Sequence, residues 1–209
     1  MNSEQRPILG ISAGDPAGIG AEVAVKALAH ADVYEYCRPL LVADLKVVQD
    51  ALRFTGLGLA ARPAAAAEDG LYRPGIVDVL DMANLGPGEL QYGAVTVAQG
   101  RASFEYVRRV IELALAGRVH GTVTGPINKE AINAAGFHYA GHTEIFAELT
   151  GAKDYAMMLT AGNFRVAHVS THVSLAEACR RVKKDRILRV AELTREALQR
   201  FGIAAPRLA

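Results

Sequence analysis

Short apolar runs alternate with amphipathic helical stretches along this 209-residue chain, and that alternation constrains the fold more than any single motif does. Ile8 to Ser12 reads as a buried strand and Ile19 to Leu28 as the helix that follows. Leu40 to Ala43 and then Asp44 to Phe54 repeat the pattern, with Asp44 placed to cap the second helix. Strands joined by helices lie parallel, so the expected class is α/β. Leu57 to Pro74, with its Ala64–Ala67 run and several Pro and Gly, reads as an irregular excursion before a strand at Ile76 to Leu80. Asn84-Leu85-Gly86-Pro87-Gly88 marks another loop. Ala94 to Ala116 carries Val97, Phe104, Val107, Val110, Ile111 and Leu115 at helical spacing and stops before Gly117.

Beyond it, Val119 to Thr124 reads as a strand, and Ile127 to Ala135 and Thr143 to Leu149 as helices. Tyr155 to Leu159 and Phe164 to Val169 read as adjacent strands turned at Ala161-Gly162-Asn163. Leu175 to Val182 and Asp185 to Phe201 close the pattern as helices. Ala205-Pro206-Arg207-Leu208-Ala209 then reads as the opening of a strand that does not continue. The stretch from Gly117 to Gly125 is the candidate crossover between domains, dividing 1–120 from 121–209.

Charge excludes some partners. Lys plus Arg total 23 against 22 for Asp plus Glu, so no whole-chain field draws the protein to nucleic acid or an anionic membrane, and a charged ligand must be held locally. No stretch of about 20 apolar residues is present to span a bilayer, and Met1 to Pro7 lacks a signal-peptide core. Cys37 and Cys179 lie outside any metal or redox spacing and read as two small buried hydrophobes in a reducing setting; the expected location is cytoplasmic.

Four segments carry possible chemistry. Gly14-Asp15-Pro16-Ala17-Gly18-Ile19-Gly20 sits between a strand and a helix, where glycines admit close backbone approach and a helix start offers N–H groups to an anion. It is not the dinucleotide fingerprint, because Val23 stands where that pattern needs glycine, and a tight turn is the plainer reading. Thr122-Val123-Thr124-Gly125-Pro126-Ile127-Asn128-Lys129 repeats the design, with Pro126 suited to a first helical turn and Lys129 facing either solvent or an acidic ligand. Gly141-His142-Thr143-Glu144 meets another helix start with Thr143 as a natural cap, where an imidazole, a hydroxyl and free amides suit a phosphate or carboxylate. In Arg165-Val166-Ala167-His168-Val169-Ser170-Thr171-His172 the two histidines stand roughly 13 Å apart if extended, too far for one metal. His172, at the strand's end before a helix, stands where an α/β site recruits a ligand; His168 reads as packed in the strand, and His30, His120 and His138 as structural or exposed.

In this order and spacing, Gly14–Gly20, Thr124–Lys129, Gly141–Glu144 and Ser170-Thr171-His172 resemble the 4-hydroxythreonine-4-phosphate dehydrogenase (PdxA) family, from about Ile8 to the last residue. Asp154–Met158 with His168–His172 looks closer to the sister branch acting on 4-phospho-D-threonate or 4-phospho-D-erythronate. The resemblance implies an α/β fold like that of isocitrate and isopropylmalate dehydrogenases. That fold has two α/β/α halves around a cleft, with 1–120 the first and 121–209 an incomplete second. It implies NAD-dependent oxidation and decarboxylation of a small phosphorylated substrate, foremost 4-hydroxythreonine 4-phosphate of pyridoxine biosynthesis. NADP stays open as cofactor, as do zinc, magnesium, manganese and cobalt as the divalent metal. A homodimer is implied. On matching positions His142 and Thr143 hold substrate and His172 is a metal ligand, while Lys129 is the one candidate catalytic group. The family's other metal histidines and most of its cofactor surface fall beyond the position of Ala209, so the chain is expected to lack its C-terminal part. The alternatives are the phosphothreonate or phosphoerythronate enzyme of sugar-acid catabolism, an inactive ligand-binding or dimer-forming fragment, and a phosphate acyltransferase of related architecture.

Overall fold

The apolar runs become parallel strands. The structure, a computed structural model, describes residues 6–209; the signal-peptide reading rests mainly on Met1 to Gln5, which lie outside the described residues. Strands β1 (Ile8–Ser12), β2 (Arg38–Ala43), β3 (Ala60–Ala64), β4 (Ile76–Asp81) and β5 (Gly121–Thr124) form one parallel sheet in the order β3-β4-β2-β1-β5. Pro39 to Ala43 are buried without a break, as a central parallel strand requires, because neither of its faces meets water.

Helices α1 (Gly20–Leu28), α2 (Val33–Tyr36), α3 (Leu45–Thr55), α4 (Val97–Leu115) and α5 (Lys129–Ala134) complete this part. Thr96 caps α4 by accepting from the Gln99 amide at 3.2 Å. From α4, Ala102, Tyr106, Val110 and Leu113 join the core. At Gly100 a Cβ would stand 1.9 Å from the Ala131 carbonyl oxygen, so glycine is what lets α4 and α5 approach. Phe104 stacks on Phe137 at a centroid distance of 3.9 Å and fixes the chain after α5.

Two expectations change here. Asp44 stands at the α3 cap position but makes no side-chain cap bond. Its carboxylate, 1% exposed, accepts instead from the amides of Asn84 and Leu85 at 3.1 and 2.9 Å and from the Tyr106 hydroxyl at 3.0 Å. Three donors brought by tertiary folding outweigh one local amide. The stretch 57–74 holds β3 and a 3₁₀ turn at Ala67–Asp69. It escaped the hydrophobic pattern because β3 is an edge strand, only partly buried and able to accept Pro63.

The chain divides into compact units at residues 1–141 and 142–209, rather than after residue 120. The reason is β5, which pairs with β1 from Leu9↔Gly121 to Ser12↔Thr124 and so belongs to the first sheet.

The second unit comprises α6 (His142–Thr150), an antiparallel hairpin of β6 (Met158–Ala161) and β7 (Phe164–Ala167), α7 (Leu175–Arg181) and α8 (Lys184–Arg200). Its buried apolar residues are Ile145, Val190 and Leu198, while Phe164, Leu175 and Val182 are exposed. No strand forms over Ala205 to Ala209; among the described residues of this unit only β6 and β7 pair, and a strand needs a neighbour for its amides. Cys37 is buried as expected, but Cys179 is exposed, because α7 buries none of its residues. Among the described residues no helix is long and apolar enough to cross a membrane.

Candidate functional site

In the first unit the loops after β1 and β5 meet at the carboxyl ends of neighbouring strands. The Asp15 amide donates to the Pro126 carbonyl at 2.9 Å, and at Gly14, φ +75°, a Cβ would stand 2.2 Å from that same oxygen. Glycine at position 14 therefore serves loop-on-loop packing, the plainer of the two readings of that motif. Pro126 lies before the helix, not in its first turn: α5 begins at Lys129, capped by Asn128, whose side chain accepts from the Ala131 amide at 3.1 Å. A proline locked at φ near −65° and carrying the carbonyl that Asp15 uses is fixed by the loop contact.

Asp15, Gly18, Ile19 and Pro126 to Glu130 enclose an open hollow of about 550 Å³. Lys129 lies there, exposed, with the carboxylates of Asp15 and Glu130. Burial holds the Asp15 carboxyl above its ordinary range, and its hydrogen bond from the Ala17 amide offsets part of that. Two carboxylates against one ammonium make this a poor seat for an anion.

The second unit carries a different hollow, of about 500 Å³. Its wall takes Thr143 from α6, Tyr155 and Met157 from the chain before β6, and His168, Ser170 and Thr171 after β7. Arg186 of α8 builds it by donating to the Val169 and Tyr155 carbonyls, both at 3.0 Å, which ties the segments flanking the hairpin together. The backbone hydrogen bond from His168 to the Met157 carbonyl, 2.9 Å, seals the hairpin base. Cations dominate: Lys153, Arg180, Arg181, Lys183 and Arg186 line the hollow, and no carboxylate does.

The two histidine motifs thus meet, though through neighbours of the expected residues. Thr143 and the Ser170–Thr171 pair line the hollow; His142 and His172 are not part of its wall. Thr143 is inside the first turn of α6, not its cap, because the helix already begins at His142. His172 is exposed with φ +56°, a left-handed conformation uncommon for a residue with a Cβ. β7 ends at Ala167, so His168 lies beyond the strand and lines the hollow, with a buried Nε2 that has no hydrogen-bond partner. His120 is structural: its Nδ1 accepts from the Ile8 amide at 3.1 Å.

The cations are not among the residues that the motifs single out. The signal was present in Arg180-Arg181-Val182-Lys183-Lys184-Asp185-Arg186, where five of seven residues are basic. Among the described residues no three His, Cys, Asp or Glu side chains are grouped to hold a metal ion. The residues present therefore do not by themselves make a metal site.

Residues 35–209 match the family model described as pyridoxal phosphate biosynthetic protein PdxA. A Symbiobacterium thermophilum protein provisionally named a D-threonate 4-phosphate dehydrogenase is 45% identical over 206 residues, which are 99% of this chain and 62% of that relative. The D-threonate 4-phosphate dehydrogenase of Cupriavidus necator is 40% identical over 206 residues, again 99% of this chain and 62% of the relative. A crystal structure of a 4-hydroxythreonine-4-phosphate dehydrogenase from Burkholderia phymatum superposes with a TM-score of 0.87 at 40% identity, over 97% of this chain and 61% of that one. The chain thus spans about three fifths of the length of these relatives.

Proposed function

The chain belongs to the PdxA family, and from that premise we propose that it serves an NAD-dependent, divalent-metal-assisted dehydrogenase that oxidises and decarboxylates a small phosphorylated hydroxy acid. The observation that carries this reading is the shared hollow: Thr143 of one motif and Ser170 and Thr171 of the other line one cavity walled by five cations. Such a wall favours a substrate whose charges are all negative. D-threonate 4-phosphate has a hydroxyl where 4-hydroxythreonine 4-phosphate has an ammonium, and the relatives at 45% and 40% identity are named for the former. D-threonate 4-phosphate is accordingly the first choice of substrate and 4-hydroxythreonine 4-phosphate the second.

His142 and Thr143 hold the substrate from the first turn of α6, where backbone N–H groups lack intrahelical partners and attract a carboxylate or phosphate. His172 is one metal donor; its neighbours here supply no second and third, so no step is assigned to a metal. Lys129, beside Asp15 and Glu130 in the first unit, is the candidate proton-carrying group. On the same family grounds the protein works as a cytoplasmic homodimer with NAD, or NADP in its place, and zinc, magnesium, manganese or cobalt.

The test is NAD reduction by a chain extended to the relatives' full length, with both substrates compared. D-threonate 4-phosphate is turned over faster, His172→Ala abolishes metal-dependent turnover with the fold intact, and His142→Ala weakens substrate binding. Activity on neither substrate contradicts the reading, and undiminished metal affinity in His172→Ala removes that residue from its role.

A further inference from the structure

Nothing in the apolar pattern of β3 says where along β4 it should stop. The run Ala60-Ala61-Arg62-Pro63-Ala64-Ala65-Ala66-Ala67 is so rich in alanine that sliding it by two residues keeps alanine on both faces of the strand. In the observed register Ala60 to Ala64 stand opposite Ile76 to Leu80. After a slip by two, Arg62 to Ala66 would take those places, with Ala64 opposite Asp78. An edge strand that is only partly buried gains little apolar contact from one alignment over the other.

One pair of side chains does distinguish them. Arg62 stands directly opposite Asp78 in the ladder, and its Nη1 donates to Asp78 Oδ1 at 2.8 Å. Asp78 is 1% exposed, in a strand whose neighbouring residues Val77 and Val79 are fully buried. Its Oδ2 accepts from the Tyr72 amide at 2.8 Å, and Arg62 Nη1 donates as well to the Asp69 carbonyl at 2.8 Å. A single carboxylate thus fixes both the alignment of β3 and the length of chain between β3 and β4. Tyr72 is held at φ +51° beside that bond, a left-handed conformation that a residue with a Cβ adopts only when its surroundings impose it. Glu68 pairs with Arg118 in the same excursion, but on the surface, where water screens the attraction. A slip by two would leave Asp78 buried against alanine with no cation, which disfavours that register by at least about a hundredfold.

We propose that the Arg62–Asp78 pair is a register lock, a conformational device that selects one alignment of the alanine-rich edge strand β3 on β4. A buried ion pair is weak evidence for stability, because desolvation offsets much of its attraction; here its effect is to exclude the slipped sheet.

Nuclear magnetic resonance of the full chain tests it, since short distances between backbone protons of opposed residues report the register. The wild type shows Ala61 against Val77 and Ala64 against Leu80 alone. Arg62→Ala/Ala64→Arg moves the cation by two positions, and β3 follows it, replacing those contacts with Pro63 against Val77 and Ala66 against Leu80. Arg62→Leu/Asp78→Leu removes both charges, and both sets of contacts appear, the slipped set with roughly a tenth or more of the signal. Arg62→Lys keeps a cation and shows the native set alone. Cooperative urea unfolding establishes that each variant folds. Native contacts alone in either of the first two variants overturn the proposal. Should Arg62→Ala/Ala64→Arg fail to fold, the leucine pair decides by itself. Loss of cooperative unfolding in the leucine pair means that the ion pair holds the sheet together rather than choosing its alignment, and overturns the proposal too.

Discussion

Residues 1–141 and 142–209 are built from similar helices and short strands, yet they differ in core and in charge. The first unit packs α1, α3 and α4 with a five-stranded sheet around a continuous core, whereas the second buries Ile145, Val190 and Leu198 and leaves most of its apolar side chains partly in water. The first carries 12 Lys and Arg against 15 Asp and Glu, net −3; the second carries 11 against 7, net +4. Those opposite signs cancel to +1 over the chain, so the whole-chain sum conceals the more informative quantity. The two hollows repeat the contrast, Asp15 and Glu130 against Lys129 in one and five cations with no carboxylate in the wall of the other. Strand topology alone favours the first as a ligand site, since it stands at the carboxyl ends of β1 and β5. Charge points to the second.

The largest effect should come from the core. Leu41→Ala, in a fully buried central strand, costs about 3–5 kcal/mol, whereas Leu198→Ala costs about 2 kcal/mol, the low end for a buried leucine, because its thinner surroundings collapse more readily. Urea midpoints measure both, and equal losses would erase the distinction between the units. Next is the buried polar knot. Asp44→Ala strands two amides and the Tyr106 hydroxyl and costs about 2–4 kcal/mol, while Tyr106→Phe costs about 1–2 kcal/mol. A neutral result in thermal melting would mean that the carboxylate is dispensable.

Asp15 should give the smallest effect, and one that depends on pH. Burial raises its carboxyl above the ordinary 3.8, so folding favours the protonated form. The stability this lends is complete below pH 3.8 and is lost as pH rises through the folded-state value. Asp15→Asn keeps an acceptor for the Ala17 amide and removes the charge. At pH 7 the variant is therefore more stable by less than about 1 kcal/mol, given the site's partial exposure, and its advantage closes as the solution is acidified. A Tm difference that ignores pH takes the charge out of the explanation.

How much of this was legible before folding follows the same division. β1, β2, β4 and α4 announce themselves through apolar runs or helical spacing, because their side chains face a core that selects them. β3 does not, since an edge strand is chosen by its neighbour β4 rather than by burial. Asp44 looks like a cap locally, and only the arrival of Asn84, Leu85 and Tyr106 from distant sequence redirects it. His142 and His172 drew attention as imidazoles at element boundaries, yet the wall of the hollow is made by Thr143, Ser170 and Thr171 beside them and by cations of α7, α8 and the chain around them. Which side chains converge is a property of the hairpin and of Arg186's two carbonyl bonds, and no spacing rule encodes it. The basic run from Arg180 to Arg186 was readable as charge; its role depended on that convergence.

Hydrogen exchange on the full chain, with and without D-threonate 4-phosphate, shows whether the first unit serves as framework while the second takes the proposed phosphorylated ligand. Slower exchange is expected only in the segments around Thr143, Tyr155, His168–Thr171 and Arg180–Arg186, with the loops at Asp15 and Lys129 unchanged. Protection appearing at Asp15 and Lys129 while the second unit stays as it was would contradict that division.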